Sequence, residues 1–245
     1  MHNELTILHL IENGTLSTRM AATLWGALDR GVSFVTVAIP RSAGKSTLCN
    51  ALLGLLRPDI SIHRLKGDES EMDQLNRTSV GGYLWVNELS QAPVPTYMWG
   101  APVRRLFATL RSGYSLAASL HASGFQEAFH VICSENGVGD QDAGRIGLVL
   151  YIHRFGSGPD DFQRRLAEIH EIDGVQDGHA AGRLLYRWSE TTGEFEHVEN
   201  LRSIEIGTDE LDSRISWLTN LMSVGRTSRS DVDLMVTTNT YPMGA

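Results

Sequence analysis

Gly44-Lys45-Ser46-Thr47 is the densest chemical signal in the chain. It follows the apolar run Ser33-Phe34-Val35-Thr36-Val37 and the linking residues Ala38-Ile39-Pro40-Arg41-Ser42-Ala43. It leads into Leu48, Ala51, Leu52 and Leu55 at helical spacing. Strand, short loop, Gly-Lys-Ser/Thr and helix is a layout that turns backbone N–H groups onto phosphate oxygens, and the helix N-terminus adds partial positive charge. Ser42, Ala43, Gly44, Lys45, Ser46 and Thr47 are then the phosphate-binding residues. Lys45 reaches the terminal phosphates and Ser46 offers a hydroxyl to Mg²⁺. The full pattern, G-x-x-x-x-G-K-[ST], asks for glycine where Ile39 stands, and Ser42 occupies a second place where glycine is common. A β-branched residue takes positive φ only at a cost. The loop is therefore expected either to adopt a related shape or to bind phosphate less well.

Three further sites carry groups suited to phosphate chemistry. Ile60-Ser61-Ile62-His63-Arg64-Leu65 alternates like a strand and runs into Asp68, Glu69, Glu71 and Asp73. Carboxylates there either meet Mg²⁺ or a water near a phosphate, or form an acidic, solvated loop. Tyr83-Leu84-Trp85-Val86-Asn87-Glu88-Leu89 places Glu88 at the tip of an apolar strand. A carboxylate so placed acts on Mg²⁺ or polarises the attacking water. Ser115-Leu116-Ala117-Ala118-Ser119-Leu120 reads as a strand buried on both faces, and His121 closes it. The C-terminal ends of strands are where open α/β sheets bind ligands, so His121 has either a functional or a structural role there.

The elements that must position these groups follow from periodicity. Leu5, Leu8 and Ile11 predict a first helix over 3–12, stopped by Asn13-Gly14, and Ser17 or Thr18 caps a second. The helix after the loop is expected to run to about Leu56, before Arg57-Pro58. Residues 90–101, with Pro93 and Pro95, read as a loop. Pro102 suits a first helical turn, with Val103, Leu106, Phe107 and Leu110 on one face. Phe125, Ala128, Phe129 and Ile132 predict another helix, and 148–152 a strand. Residues 164–172 and 183–188 alternate, with Asp173-Gly174 and Asp177-Gly178 between them, as antiparallel strands at a sheet edge do. Thr208 or Asp209 caps a late helix, and 226–245 read as a polar, frayed tail. The organisation expected is a helical lead-in (1–32), a core (33–155), an edge hairpin with a C-terminal helix (156–225) and a mobile tail (226–245).

Composition narrows the classes. The chain has 245 residues, 42% of them hydrophobic and 20% charged, as an α/β domain with a core requires. A net charge of −8 argues against nucleic acid as a partner. Cys49 and Cys133 are isolated in apolar contexts and read as core thiols, and no C-x-x-C pair suggests zinc. No apolar run is long enough to cross a membrane, so a cytoplasmic protein is expected, attached to any membrane only through partners.

Taken in order, these motifs resemble those of the type II/type IV secretion ATPase superfamily, the motors of pilus assembly and tight-adherence secretion. The family's G-P-T-G-S-G-K-T-T corresponds to residues 39–47. Its Asp box, I-E-D-x-x-E, corresponds to Gly67-Asp68-Glu69-Ser70-Glu71, with Asp68 and Glu71 matching. Its G-E-I-R corresponds to Asn87-Glu88-Leu89-Ser90. Its G-H-x-x-x-x-T-x-H-A corresponds to 113–122, where Tyr114 replaces the first His and His121 keeps the second. Arg164-Arg165-Leu166-Ala167-Glu168-Ile169-His170-Glu171-Ile172 looks like the family's R-R-V-x-x-I-x-E-V hairpin. The resemblance implies a RecA-like P-loop ATPase core with a mostly parallel sheet, an antiparallel edge hairpin and C-terminal helices. It implies ATP and Mg²⁺ as ligands, a hexameric ring, and secretion or pilus proteins as partners. In that scheme Lys45 and Ser46 hold phosphate and metal, Glu88, Asp68 and Glu71 handle metal and water, and His121 senses the terminal phosphate. The departures at Ile39, Ser42, Gly67 and Tyr114 equally suit a subunit that does not hydrolyse ATP. A transporter-type ATPase of the ABC kind also shares Gly44-Lys45-Ser46-Thr47-Leu48 and Gly54-Leu55-Leu56-Arg57-Pro58-Asp59, but the chain lacks the L-S-G-G-Q signature that such proteins need.

Overall fold

The computed structural model describes residues 5–40, 42–156 and 162–238. Its helices are α1 (Ile7–Glu12), α2 (Thr18–Asp29), α3 (Lys45–Leu53), α4 (Glu69–Thr78), α5 (Ala101–Thr109), α6 (Phe125–Phe129), α7 (Asp140–Ala143), α8 (Thr208–Ser223) and α9 (Arg229–Thr238). Its strands are β1 (Ser33–Val37), β2 (Ile62–Arg64), β3 (Gly82–Leu89), β4 (Tyr97–Met98), β5 (Tyr114–Leu120), β6 (Ile146–Phe155), β7 (Gln163–Gln176), β8 (His179–Trp188) and β9 (Phe195–His197). The fold is α/β, with an open, mixed and largely parallel sheet in the order β2-β3-β5-β1-β6-β7-β8-β9, and with β4 paired to β3. Strands β2 to β6 run parallel to their neighbours, and β7, β8 and β9 continue the sheet antiparallel.

Alternation along the strands splits the apolar side chains between two cores. Phe34, Ala117, Leu148 and Leu150 face a core filled by Leu8, Leu24, Trp25, Leu48, Leu52, Leu218 and Met235, from α1, α2, α3, α8 and α9. Val35, Val37, Leu116, Leu120 and Val149 face a second core with Met72, Val103, Phe107 and Phe129, from α4, α5 and α6. All five residues of β1 are buried, as a central parallel strand covered on both faces demands. Each fully buried Leu, Val or Phe contributes about 1.5–3 kcal/mol, so both faces are well supplied.

Several elements differ from the sequence reading. The acidic stretch after β2 is a helix rather than a loop, because Asp68 caps it by accepting from the Ser70 N–H at 2.9 Å. Tyr97 and Met98 form a short strand beside the end of β3 rather than part of a loop. Asp173-Gly174 lies inside β7, where the register shifts. Only Asp177-Gly178 makes the hairpin turn, with φ of 52° and 76° and with both backbone N–H groups bonded to the Asp140 carboxylate. The N-cap of α8 is Gly207, not Thr208 or Asp209. Residues 229–238 of the expected tail form α9, which docks by burying Val232, Met235 and Val236. Residues 239–245 lie outside the described residues. No described helix is long and apolar enough to cross a membrane.

Candidate functional site

Chain geometry opens a crevice between β1 and β5. After β1 the chain passes to α3 on one face of the sheet, and after β5 it passes to α6 on the other. Adjacent parallel strands whose connections diverge leave a gap at their C-terminal ends, and ligands bind there. Lys45 opens α3 at this gap, His121 follows β5, and Glu88 ends β3 one strand further on.

These three side chains meet. His121 Nε2 lies 2.9 Å from Glu88 Oε1, Lys45 Nζ lies 3.7 Å from Glu88 Oε2, and Lys45 Nζ lies 3.5 Å from His121 Nε2. Lys45 and Glu88 are 5% and 7% exposed, so their pairing is shielded from water. Burial pushes the Lys45 ammonium below its ordinary value, and the charge and hydrogen bonding of Glu88 offset part of that. At 3.7 Å the pair is longer than a good hydrogen bond, so the ammonium is held by charge more than by geometry. The other imidazole nitrogen, Nδ1, lies 3.0 Å from the Ile39 carbonyl. Nε2 has an acceptor, the Glu88 carboxylate, and a donor, the Lys45 ammonium, beside it.

The end of β3 is irregular in a useful way. Between Val86 and Leu89 the strand carries one residue more than β5 does. Such a bulge re-aims side chains. Here consecutive residues both reach the crevice. Glu88 meets Lys45 and His121, while Asn87 Oδ1 accepts from the Ser46 hydroxyl at 3.4 Å and Asn87 Nδ2 donates to Thr96 at 3.2 Å. Asn87 was not legible as a site residue. Its only sequence signal is its place before Glu88 at a strand end.

Left-handed φ falls on Ser42 (59°) and Gly44 (100°), while Ile39 avoids it. Ile39 instead turns its side chain outward, 52% exposed, and lends its carbonyl to His121. A cavity of about 410 Å³ faces Lys45, Glu88 and His121 and is rimmed by Ile39, Ser42, Ser90, Ala92, Val94 and Tyr97.

Ser42, Ala43, Gly44, Lys45, Ser46 and Thr47 therefore surround the start of α3, with Glu88 and His121 against them. Asp68 and Glu71 are not brought there. Asp68 caps α4, Glu71 accepts from the Lys66 N–H at 2.9 Å, and neither lines the cavity. Tyr114 begins β5, about 20 Å of strand away from His121. Its hydroxyl donates to the Leu75 carbonyl and accepts from the Val80 N–H. Tyr114 therefore does not reach this crevice.

The donor set fits Mg²⁺ arriving with a phosphate rather than alone. Among the described residues no cluster of three His, Cys, Asp or Glu side chains is set to hold an ion. Mg²⁺ commonly takes one or two protein oxygens and leaves the rest to water and substrate phosphates. The Ser46 hydroxyl with Asn87 Oδ1 beside it, and Glu88 nearby, offer oxygens of that kind.

No protein-family model matches the chain, and no curated protein matches it.

Proposed function

We propose that this chain is a RecA-like P-loop subunit that binds and hydrolyses ATP, and that it serves as a motor in a secretion or type IV pilus-like assembly. The convergence of Lys45, Glu88 and His121 at the ends of three parallel strands, against the N-terminus of α3, supports it most directly. The cavity of about 410 Å³ that faces Lys45, Glu88 and His121 supports it too, since it offers space for a phosphate beside them. The assembly partners, the ring and ATP as the particular nucleotide rest on the motif resemblance.

In this reading the terminal phosphates draw Lys45 away from Glu88, which frees the carboxylate. Mg²⁺ bound with the nucleotide, at Ser46 with Asn87 beside it, supplies neutralisation of phosphate charge. Glu88 accepts a proton from the attacking water. The water oxygen bonds to the γ-phosphorus as the bond to the β–γ bridging oxygen breaks, and ADP leaves with that electron pair. His121, bonded through Nδ1 to the loop at Ile39, donates from Nε2 to the developing phosphate charge and ties its presence to the loop. Product release then resets the Lys45–Glu88 pair, and this change passes to neighbouring subunits.

A second reading is a subunit that binds ATP without turning it over. It is favoured by Glu88 being engaged by both Lys45 and His121 at once. One experiment separates the two. ATP binding and phosphate release are measured with Mg²⁺ on the wild type, Lys45→Ala and Glu88→Gln. Lys45→Ala is expected to abolish binding, and Glu88→Gln to keep binding and lose turnover. Binding without turnover in the wild type selects the second reading, and no binding at all overturns both.

A further inference from the structure

A second cavity, of about 690 Å³, lies on the opposite flank of the same loop. Ser42 lines the first cavity, while Ala43, Gly44 and Thr47 line the second, so the loop is the ridge between them. Across the second cavity stand Phe162, just before β7, and Arg164 and Arg165 at its start. Cavities of about 300–1,000 Å³ hold ligands of nucleotide size.

Arg164 is placed against the loop itself. Its Nη2 donates to the Ser42 carbonyl at 3.1 Å, and its Cδ lies 2.8 Å from where a Cβ on Gly44 would sit. Only a glycine lets the arginine stem come so close. Arg164 Nε is buried and has no hydrogen-bond partner among the described residues. Neither Arg164 nor Arg165 pairs with a carboxylate among the described residues, although the chain carries a net charge of −8 and most of its other arginines have acidic partners. Burial holds the Arg164 guanidinium below its ordinary value, and the neighbouring charge of Arg154 adds to that. Phe162 presents its ring to both Arg154 and Arg164, at 4.0 and 4.5 Å, and keeps the Arg164 plane in place. A half-buried cation with an unused donor, beside backbone N–H groups at a helix start, is a site for an anion.

We propose that Arg164 is a phosphate ligand of the bound nucleotide, reaching the loop from the antiparallel half of the sheet, and that the nucleoside end lies in the second cavity. The proposal rests on the nucleotide reading above. The phosphate chain then crosses the ridge at residues 42–47, with its terminal group at Lys45 and an inner phosphate at Arg164. Arg164 thereby couples the edge hairpin to the occupancy of the site.

The test is calorimetric titration of Mg·ATP and of Mg·tripolyphosphate into the wild type, Arg164→Gln and Lys45→Ala, with hydrogen exchange of residues 42–47 in the ligand-free proteins. Arg164→Gln is expected to weaken both ligands by about tenfold or more, the loss typical of a charge-assisted hydrogen bond, with unchanged ligand-free exchange. Binding that needs Lys45 but is unchanged in Arg164→Gln overturns this assignment and leaves the nucleotide reading standing. A loss confined to ATP, with tripolyphosphate unaffected, also overturns it, since the arginine then meets the nucleoside. Faster ligand-free exchange across 42–47 in Arg164→Gln makes the arginine a strut for the loop and overturns it as well. Absence of ATP binding to the wild type overturns the nucleotide reading and this inference together.

Discussion

At the scale of single residues, the crevice sets a buried ammonium and a buried carboxylate beside an imidazole. Glu88 is stable there because Lys45 and His121 face it from two sides. Removing its charge by Glu88→Gln leaves the Lys45 ammonium without its counter-ion, and a phosphate then takes that role. We expect ATP affinity to hold or rise and turnover to fall by about 10²–10⁴-fold, the usual worth of a general base. Rapid phosphate release from Glu88→Gln at the wild-type rate would remove it from the chemistry. Gly44 is the second sensitive residue. Its φ of 100° and the 2.8 Å approach of Arg164 Cδ leave no room for a methyl group. Gly44→Ala is expected to cost about 1–2 kcal/mol of strain and to lower the melting temperature by about 2–8 °C. It should also weaken ATP binding, and a scanning calorimeter and a titration read the two effects separately.

At the scale of elements, capping and bulging decide which acids reach the site. The extra residue at the end of β3 turns Asn87 and Glu88 toward α3. Asp68 instead holds the first turn of α4, and the same helix pairs Asp73 with Arg105 of α5. Asp68→Ala is therefore expected to cost about 1 kcal/mol of stability, the value of an N-cap, and to leave phosphate release per folded molecule unchanged. Urea unfolding and a turnover assay on the same sample check this. A collapse of turnover at unchanged stability would return Asp68 to the catalytic machinery.

At the scale of the molecule, buried ion pairs tie α8 to α2. Arg214 of α8, 1% exposed, bonds to Asp29 of α2 and to Glu210, and Arg30, just past the end of α2, grips Glu210 at 2.8 Å. Breaking such a pair leaves a buried charge unmatched, so Arg214→Ala is expected to lose about 3–5 kcal/mol in urea unfolding. Acid should act on the same contacts. Burial pushes Glu210 up, but hydrogen bonds from Arg30 and Arg214 outweigh it and hold the carboxyl below its ordinary 4.5. Burial likewise pushes Glu171 up, and bonds from the backbone of Ser203 and Arg202 and from Arg183 hold it below the same value. A depressed carboxyl contributes stability that is present above pH 4.5 and is lost as pH falls through the folded value. Asp29 works in the opposite sense, since burial raises it despite Arg214. Asp68, Glu127, Glu168 and Asp231 are also held low, so among the described carboxyls six are lowered against one raised, and we expect urea midpoints to be flat from pH 7 to about 5 and to fall below about 4.5. A midpoint that rises there would contradict these assignments.

Local chemistry fixed much of this in advance. The apolar run of β1, the Gly-Lys-Ser that opens α3, and the acid and imidazole that end β3 and β5 are all consequences of neighbours in the chain, so periodicity exposes them. The α/β class follows from the same alternation of strands and helices. What the tertiary structure alone decided is which of the charged groups share a space. Asp68 and Glu88 read alike as carboxylates near strand ends, yet a helix cap claims one and a bulge delivers the other. Arg164 lies about 120 residues from the loop it touches, and no local pattern links the two. Asn87 bonds Ser46 only because β5 sets the spacing between β1 and β3. The polar end of the chain at 229–238 becomes a docked helix for a similar reason, since three scattered apolar residues gain a surface only once α1, α3 and α8 have built it. Sequence periodicity reports burial along one element. Contacts between elements depend on strand order and register, which only the folded chain supplies.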